Sequence, residues 1–368
     1  MNLRCDMATV RFGDVAERVN TKEDRLNTDL VYYVGGEHIE SNALTVSGRG
    51  KIKEADLGPM FYFGFKPGDI LFVTRNPHLR KCATVDFPGI CSEKTLVIGT
   101  KDEDVLSQKY LATVMQSDDF WEFMEENKSG SVNYFINWST LADYEFDLPP
   151  IERQRELANL LWAANDLKES YKKAITATDE MLKAKFMEMF GDAGEEDKVL
   201  LGHIVEIMDN RRMPLNEAER SEMKTGTLFP YYGANGVVDC INKYLTDDDL
   251  LCVAEDCGSY GPGEESAYII HGKAWVNNHA HLVKPKKDFC TLEYLHAFLK
   301  LSDLRPYIAG TTRQKLTQAM LRSVKCILPP LSLQREFVAI AEKADSAKAA
   351  LKKSIESIDQ VMKGLINQ

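Results

Sequence analysis

The sequence predicts an α+β chain: two mixed α/β domains joined by two long antiparallel coiled-coil helices, with pseudo-twofold internal symmetry. Three observations carry this reading. The phrase LPPIERQREL at residues 148–157 returns as LPPLSLQREF at residues 328–337, an offset of 180 from Leu148 to Leu328. Each copy is followed by roughly forty residues with no Pro and almost no Gly. Each is preceded by a domain-sized stretch of strand-like runs, so the repeated unit is a domain together with its tail.

The first domain, residues 1–147, carries the runs DLVYYVGG, GDILFVTRN and KTLVIGT between turn residues, then a short apolar helix pattern opening at Tyr110-Leu111. The first long helix, residues 148–190, starts behind two prolines, which fix φ and have no amide hydrogen to leave unpaired at a helix start. Its apolar residues Leu157, Leu160, Ala164, Leu167, Tyr171, Ala174, Thr178 and Met181 step by three and four, the spacing of a heptad seam. The acidic phrase GDAGEEDK at residues 191–198 opens the second domain, residues 191–327. That domain holds LFPYYGANGVVDCI, DLLCVAED, SAYIIHGKAWV and HAHLVKP, with a matching helix pattern at Tyr294-Leu295.

The second long helix, residues 328–368, sets out Phe337, Ile340, Ala344, Ala347, Leu351, Ser354, Ile358, Val361 and Leu365. At about 1.5 Å per residue each helix would be about 60 Å long. Neither can bury its stripe alone, so the two are expected to pair antiparallel, with one globular unit at each end. Packing of each helix on its own domain is the other arrangement open to the sequence. The 180-residue register also matches Gly130 with Gly310 and Leu141 with Leu321. Downstream, Ala164, Lys168, Lys172, Lys173, Ile175, Asp179 and Lys183 match Ala344, Lys348, Lys352, Lys353, Ile355, Asp359 and Lys363.

Composition narrows the function classes. A chain of 368 residues with 44% hydrophobic and 27% charged residues has an ordinary globular composition and room for two domains. It has no run of about 18 apolar residues, and MNLRCDMATVRFGD lacks the apolar core of a signal peptide, so a cytoplasmic protein is expected. The formal charge of -11 excludes a uniformly basic nucleic-acid coat but leaves room for local basic patches. The eight cysteines (Cys5, Cys82, Cys91, Cys240, Cys252, Cys257, Cys290, Cys326) form no C-x-x-C pair and read as small apolar residues. The G-x-x-x-x-G-K-[ST] phosphate loop is missing. So is an Asn/Asp-Pro-Pro-aromatic motif, since Leu148 separates Asp147 from the prolines and Ile151 follows them. Asp86, Glu93 and Lys94 fail a nuclease pattern because Glu and Lys are adjacent.

The doubled Leu-Pro-Pro and Gln-Arg-Glu pattern, with YYGANGVVD at 231–239, GDILF at 68–72 and WVNNHAHLV at 275–283, resembles the DNA specificity (S) subunits of type I restriction-modification systems, over the whole chain. The resemblance implies two target-recognition domains, each followed by a long helix. It implies a non-catalytic chain that reads a bipartite target in double-stranded DNA and directs adenine methylation, and in some systems cleavage, by partner subunits. Those partners would be two methyltransferase subunits and, where present, motor-nuclease restriction subunits. S-adenosylmethionine and ATP would sit on the partners, with no cofactor in this chain and no membrane. Gln154, Arg155, Glu156, Gln334, Arg335 and Glu336 become docking or structural residues. A coiled-coil scaffold that only bridges proteins is the competing reading.

Base reading needs Arg, Lys, Asn or Gln at base edges, and phosphates need positive charge. In the first domain the candidates are Arg75, Asn76, His78, Arg80 and Lys81 after GDILF, and Asn133, Tyr134 and Asn137 in GSVNYFINW. In the second they are Arg313, Lys315 and Arg322, with Lys325, in the carboxylate-free run GTTRQKLTQAMLRSVK. The equivalence of Gly130 and Gly310 predicts that both loops face one kind of partner. Tyr231, Tyr232 and Asn235, and Ser259 and Tyr260, lie in turn-rich stretches that either reach the groove or place the tyrosines in the core. His279 and His281 alternate along one strand face, where hydrogen bonding is expected rather than zinc, which takes three or four ligands.

Overall fold

Both long helices begin immediately after Leu-Pro-Pro. The carbonyl of Pro150 accepts the amides of Arg153 and Gln154, and that of Pro330 accepts those of Leu333 and Gln334. A proline there wastes no donor, because the first-turn amides have no intrahelical partner. The helices span Ile151–Phe190 and Leu331–Ile366, 40 and 36 residues. The computed structural model describes residues 8–191, 194–256, 259–310 and 314–367. Cys5, Cys257 and Arg313 lie outside the described residues. The chain divides into one unit of Met1–Lys172 with Lys352–Gln368 and another of Lys173–Leu351, so each unit takes part of both long helices.

In the first unit Ala8–Arg11 pairs antiparallel with Glu145–Leu148. A four-stranded antiparallel sheet runs in the order Ala16–Val19, Thr95–Thr100, Ile70–Val73, Cys82–Thr84. A second sheet runs Gly50–Lys51, Tyr32–Val34, Gly89–Ser92, Phe61–Phe65, with its middle pair parallel. The short helices Gln108–Val114 and Asp118–Glu126 cover the first sheet, burying Leu111, Phe120, Trp121 and Met124 against Phe12 and Phe72.

The second unit repeats this strand for strand. Lys198–Leu200 pairs with Lys325–Ile327. One sheet runs Val205–Ile207, Ala280–Pro285, Leu250–Ala254, Ala267–Ile270. The other runs Gly236–Ile241, Phe229–Gly233, Lys273–Val276, Thr246–Asp247, again with a parallel middle pair. The helix Leu292–Leu301 covers the first of these sheets, and Phe186, Phe190, Tyr294, Phe298 and Phe337 form an aromatic cluster where both long helices meet that helix. Cys82, Cys91, Cys252, Cys290 and Cys326 are buried free thiols, in keeping with their reading as apolar residues, whereas Cys240 is exposed on an edge strand and departs from it.

Inside each unit the two long helices pack antiparallel. In the second, Lys348 bonds Asp179 at 2.6 Å while Phe337 meets Phe186, so numbers fall along one helix as they rise along the other. In the first, Lys168 bonds Asp359 at 2.6 Å beside a small core of Leu44, Leu161 and Met362. Lys348 and Asp359 are the residues 180 places after Lys168 and Asp179. The duplication has therefore copied one ion pair into both units.

The seam lies one residue away from the stripe expected on the first helix. Leu160, Leu167 and Met181 are 54%, 44% and 48% exposed, whereas Ala158, Leu161, Asn165, Leu182, Phe186 and Phe190 are buried. On the second helix Phe337 and Ala344 are buried as expected, but Val361 is exposed and its neighbour Met362 is buried, as is Lys348. A step of one residue turns a helix by about 100°. The observed seam accepts two lysines and an asparagine because an aspartate answers each lysine across it. Hydropathy counted those positions as surface.

Gln154 and Gln334, 1% and 0% exposed, tie each long helix to its recognition domain. The Gln154 amide donates to the carbonyls of Pro149 (2.8 Å) and Val105 (3.0 Å) and accepts from the amide of Ser107 (3.0 Å). Gln334 does the same with Pro329 (2.8 Å), Phe289 (2.8 Å) and Thr291 (3.0 Å). Ser107 and Thr291 are the N-cap residues of the short helices. Their neighbours in the repeated motif, Arg155, Glu156, Arg335 and Glu336, are exposed, and Arg155 pairs with Asp104 (3.2 Å).

Leaving buried peptide groups unpaired costs about 1–3 kcal/mol per group. Gln154→Ala and Gln334→Ala are each expected to lower the unfolding free energy by about 3 kcal/mol in urea titrations. Arg335→Ala and Glu336→Ala should stay within about 0.5 kcal/mol.

Candidate nucleic-acid interface

In the first unit the candidate rim grows from the end of strand Ile70–Val73. Thr74 donates its amide and hydroxyl to the carbonyl of Lys94, and its own carbonyl accepts the amide of Ile136. Asn76 donates its amide to Tyr134, so the loop after GDILF is laced to the loop after Gly130. Reciprocal bonds between Ser129 and Phe135 close that second loop. Gly130 has φ +97°, and a Cβ there would stand 2.7 Å from the Asn133 carbonyl, so the tight loop requires glycine.

This lacing brings Arg75, Asn76, Asn133 and Tyr134 together, with His78 and Asn137 on the flanking segments. Arg75 lies 5.4 Å over the Phe135 ring and reaches the Asn133 carbonyl at 3.4 Å. Asn76 and Arg80, both at positive φ, bracket the single turn Pro77–Leu79, and Asn76 and His78 are exposed. Asn133, Tyr134 and Asn137 are exposed too. Val132, which the sequence reading passed over, is 84% exposed in the same loop.

Arg80 and Lys81 do not belong with them. Arg80 binds Asp118 at 2.6 Å, and that bond, with Lys363 adding to it, holds the Asp118 carboxyl below the usual carboxylate range. Lys81 donates to the carbonyl of Gly36 at 2.6 Å. Both serve as internal ties, because their long stems reach partners that sequence spacing does not reveal.

In the second unit the same lacing recurs. Reciprocal bonds between Ala309 and Lys315 close the loop after Gly310, at φ +91°, and Leu316 donates its amide to Glu255. Of the basic candidates, Lys315 pairs with Glu255 (2.8 Å) and Lys325 with Glu195 (2.6 Å), while Arg322 is exposed. Asn235 and Ser259 line one cavity of about 340 Å³ beside Tyr268, whose ring stacks on half-buried Tyr232 at 5.6 Å. Tyr231 and Tyr260 are core residues, 2% and 4% exposed, and leave the candidate set. Tyr231 accepts the Leu215 amide, and Tyr260 donates to the Ala254 carbonyl. A tyrosine in a turn-rich segment can anchor that segment to the core through its ring.

Beneath this rim lies a charged network of which only His281 and Lys315 drew notice in the sequence. Both ring nitrogens of buried His281 face acceptors, Asp209 at 2.6 Å and the Leu316 carbonyl at 2.8 Å. Arg212 joins Asp209 (3.0 Å) to Glu255 (2.7 Å), and Gln318 reaches Asp209 at 3.1 Å. Burial pushes the Asp209 carboxyl up, but His281 and Arg212 outweigh it and hold it below the usual range. Glu255 behaves likewise, with Lys315 and Arg212 overcoming its burial. His281 thus has the hydrogen-bonding role expected for it.

Comparison with known proteins agrees with this architecture. Residues 195–360 match the family model of the type I restriction modification DNA specificity domain. A putative type I restriction enzyme specificity subunit of Haemophilus influenzae is 32% identical over 157 residues, 43% of this chain. That match spans 39% of the relative's length. The crystal structure of a type I restriction-modification S subunit from M. genitalium superposes with a TM-score of 0.63 at 16% identity, covering 100% of this chain and 96% of that one. A chain from a structural study of complex assembly and conformational transition in the type I R-M system gives a TM-score of 0.56 at 17% identity, covering 100% and 98%. At such identities these two speak for a shared fold. Together the comparisons bear out the resemblance to type I specificity subunits.

The network sets an acid limit on stability. A carboxyl held below its unfolded value of about 3.9 stabilises the fold above that pH, and the contribution is lost as pH falls through the folded value. Urea midpoints of the wild type are expected to drop below about pH 4. Asp209→Asn should start lower at pH 7 and fall less steeply on acidification.

Proposed function

We propose that this chain is the DNA-reading subunit of a type I restriction-modification complex. In this reading each globular unit recognises one half of a bipartite target, and partner subunits, carrying S-adenosylmethionine and ATP, methylate adenine and in some systems cleave. The observation that carries it is a duplicated scaffold with unlike side chains. Both units hold a glycine loop laced to the end of a central strand, yet the bridged pair is Arg75 with Phe135 in one and Asp256 with Lys315 in the other. Repeated backbone with divergent polar tips suits the reading of two different half-sites in the major groove. A scaffold that only bridges proteins has no need of divergent polar rims.

The outward face of the first long helix supports docking of methyltransferase subunits. Exposed Leu160, Ala163, Leu167, Ser170, Ala177, Met181 and Ala184 follow a second heptad stripe, beside the buried seam. Small residues at alternate steps let another helix approach closely, and the exposed Leu and Met supply apolar area. Among the described residues no helix is long and apolar enough to cross a membrane. We assign the complex to the cytoplasm.

Two measurements test this. Exchanging residues 1–147 for the same segment of a relative should change one half of the methylated sequence, read by methylome sequencing. A change in both halves, or in neither, would sink the half-site reading. The double substitution Leu160→Glu and Leu167→Glu is expected to leave the urea midpoint unchanged while weakening co-elution with the methyltransferase subunit at least tenfold.

A further inference from the structure

We propose that His279 is a base-reading residue of the second unit, its outward Nε2 accepting a hydrogen bond from the exocyclic amino group of an adenine or a cytosine in the major groove. This rests on the DNA-reading function proposed above and goes beyond it by naming a residue and the chemistry it reads.

The position follows from matched backbone bonds in the two units. Thr74 donates its amide to Lys94, and Glu255 donates its amide to His279, both at 2.9 Å. One residue on, Arg75 bridges Phe135, and Asp256 bridges Lys315. Arg75 and Lys94 of the first rim therefore correspond to Asp256 and His279 of the second. Two cations have been replaced by a carboxylate and an imidazole.

Asp256 and His279 form a directed pair. Their oxygen and Nδ1 are 2.7 Å apart, and their side chains are 5% and 42% exposed. A carboxylate oxygen only accepts, so the ring hydrogen sits on Nδ1. In the neutral ring, Nε2 on the opposite edge then carries a lone pair. The segment is held rigidly: the His279 amide donates to the Asn277 side chain at 2.8 Å, and Arg212 donates to the carbonyls of Asn278 (3.3 Å) and Ala280 (3.0 Å). A fixed acceptor on a rigid strand end fits a base edge, where direction matters.

It fits a phosphate poorly. A phosphate brought to this ring would meet the carboxylates of Asp256 and Glu255, and the latter has already taken up Lys315 and Arg212. In the major groove the donors are the amino groups of adenine and cytosine, while guanine and thymine present acceptors.

The test uses the full chain with its methyltransferase subunit, measuring affinity for the methylated target and for every single-base-pair variant of it. His279→Ala is expected to weaken binding to the target about tenfold and to abolish discrimination at one base pair only. Asp256→Asn keeps the shape but can donate as well as accept, so the ring hydrogen is no longer confined to Nδ1. Discrimination at that same base pair should then weaken, with guanine or thymine admitted beside adenine or cytosine. If both variants keep the wild-type preference everywhere, or lose affinity equally for all sequences, His279 reads no base. If the wild-type complex itself shows no sequence preference, the DNA-reading function fails and this assignment fails with it.

Discussion

A single buried amide at the head of each long helix controls how that helix meets the domain before it. Gln154 and Gln334 each satisfy two carbonyls and one amide with one side chain, and the groups they satisfy come from the proline turn and from the loop that starts a short helix. Glutamate could not donate to the carbonyls, and asparagine is a methylene too short to span the same partners. Because the amide sits on the first turn of a stiff helix, it fixes the short helix, and the sheet beneath that helix, to the long one. The Leu-Pro-Pro turn supplies one acceptor and stops the preceding strand.

The ion pairs in the helix seam serve a different purpose. A seam of Ala and Leu alone could slide by a heptad with little change in buried area. Lys168 with Asp359 and Lys348 with Asp179 would be torn apart by such a slip, leaving the two largely buried lysines without their partners across the seam. Burial pulls the Lys348 ammonium down, but Asp179 and Asp345 outweigh it, so the charge persists inside the seam. Such pairs add little stability over apolar residues of the same size. Their value is in setting register.

On this rigid base the two rims diverge. The first rim is cationic and aromatic, with Arg75 lying over Phe135 and Lys128 over Tyr134. The second is built on a buried network of Asp209, His281, Arg212 and Glu255, where the first unit has the uncharged Thr74 at the position of Glu255 and Leu96 at that of His281. The backbone bonds that close the glycine loops are the same in both. Specificity can therefore change through side chains without disturbing the loop that presents them.

The duplication, the two helices, the strand runs and the equivalence of Gly130 and Gly310 were legible in the sequence, because each depends on near neighbours: proline punctuation, alternation, heptad spacing and a turn that only glycine allows. The helix seam was one residue out, since two adjacent stripes both carry apolar residues and only the partner helix distinguishes them. Arg80 and Lys81 read as free cations, and Tyr231 and Tyr260 as groove candidates, until the fold brought Asp118, the Gly36 carbonyl and the core to them. The pairing of Asp256 with His279 was invisible for the same reason: 23 residues separate them in sequence and 2.7 Å in space. Local chemistry decided which elements form, whereas the partner of each charged or polar side chain was settled only by tertiary packing, because a hydrogen bond depends on distance in space and not along the chain.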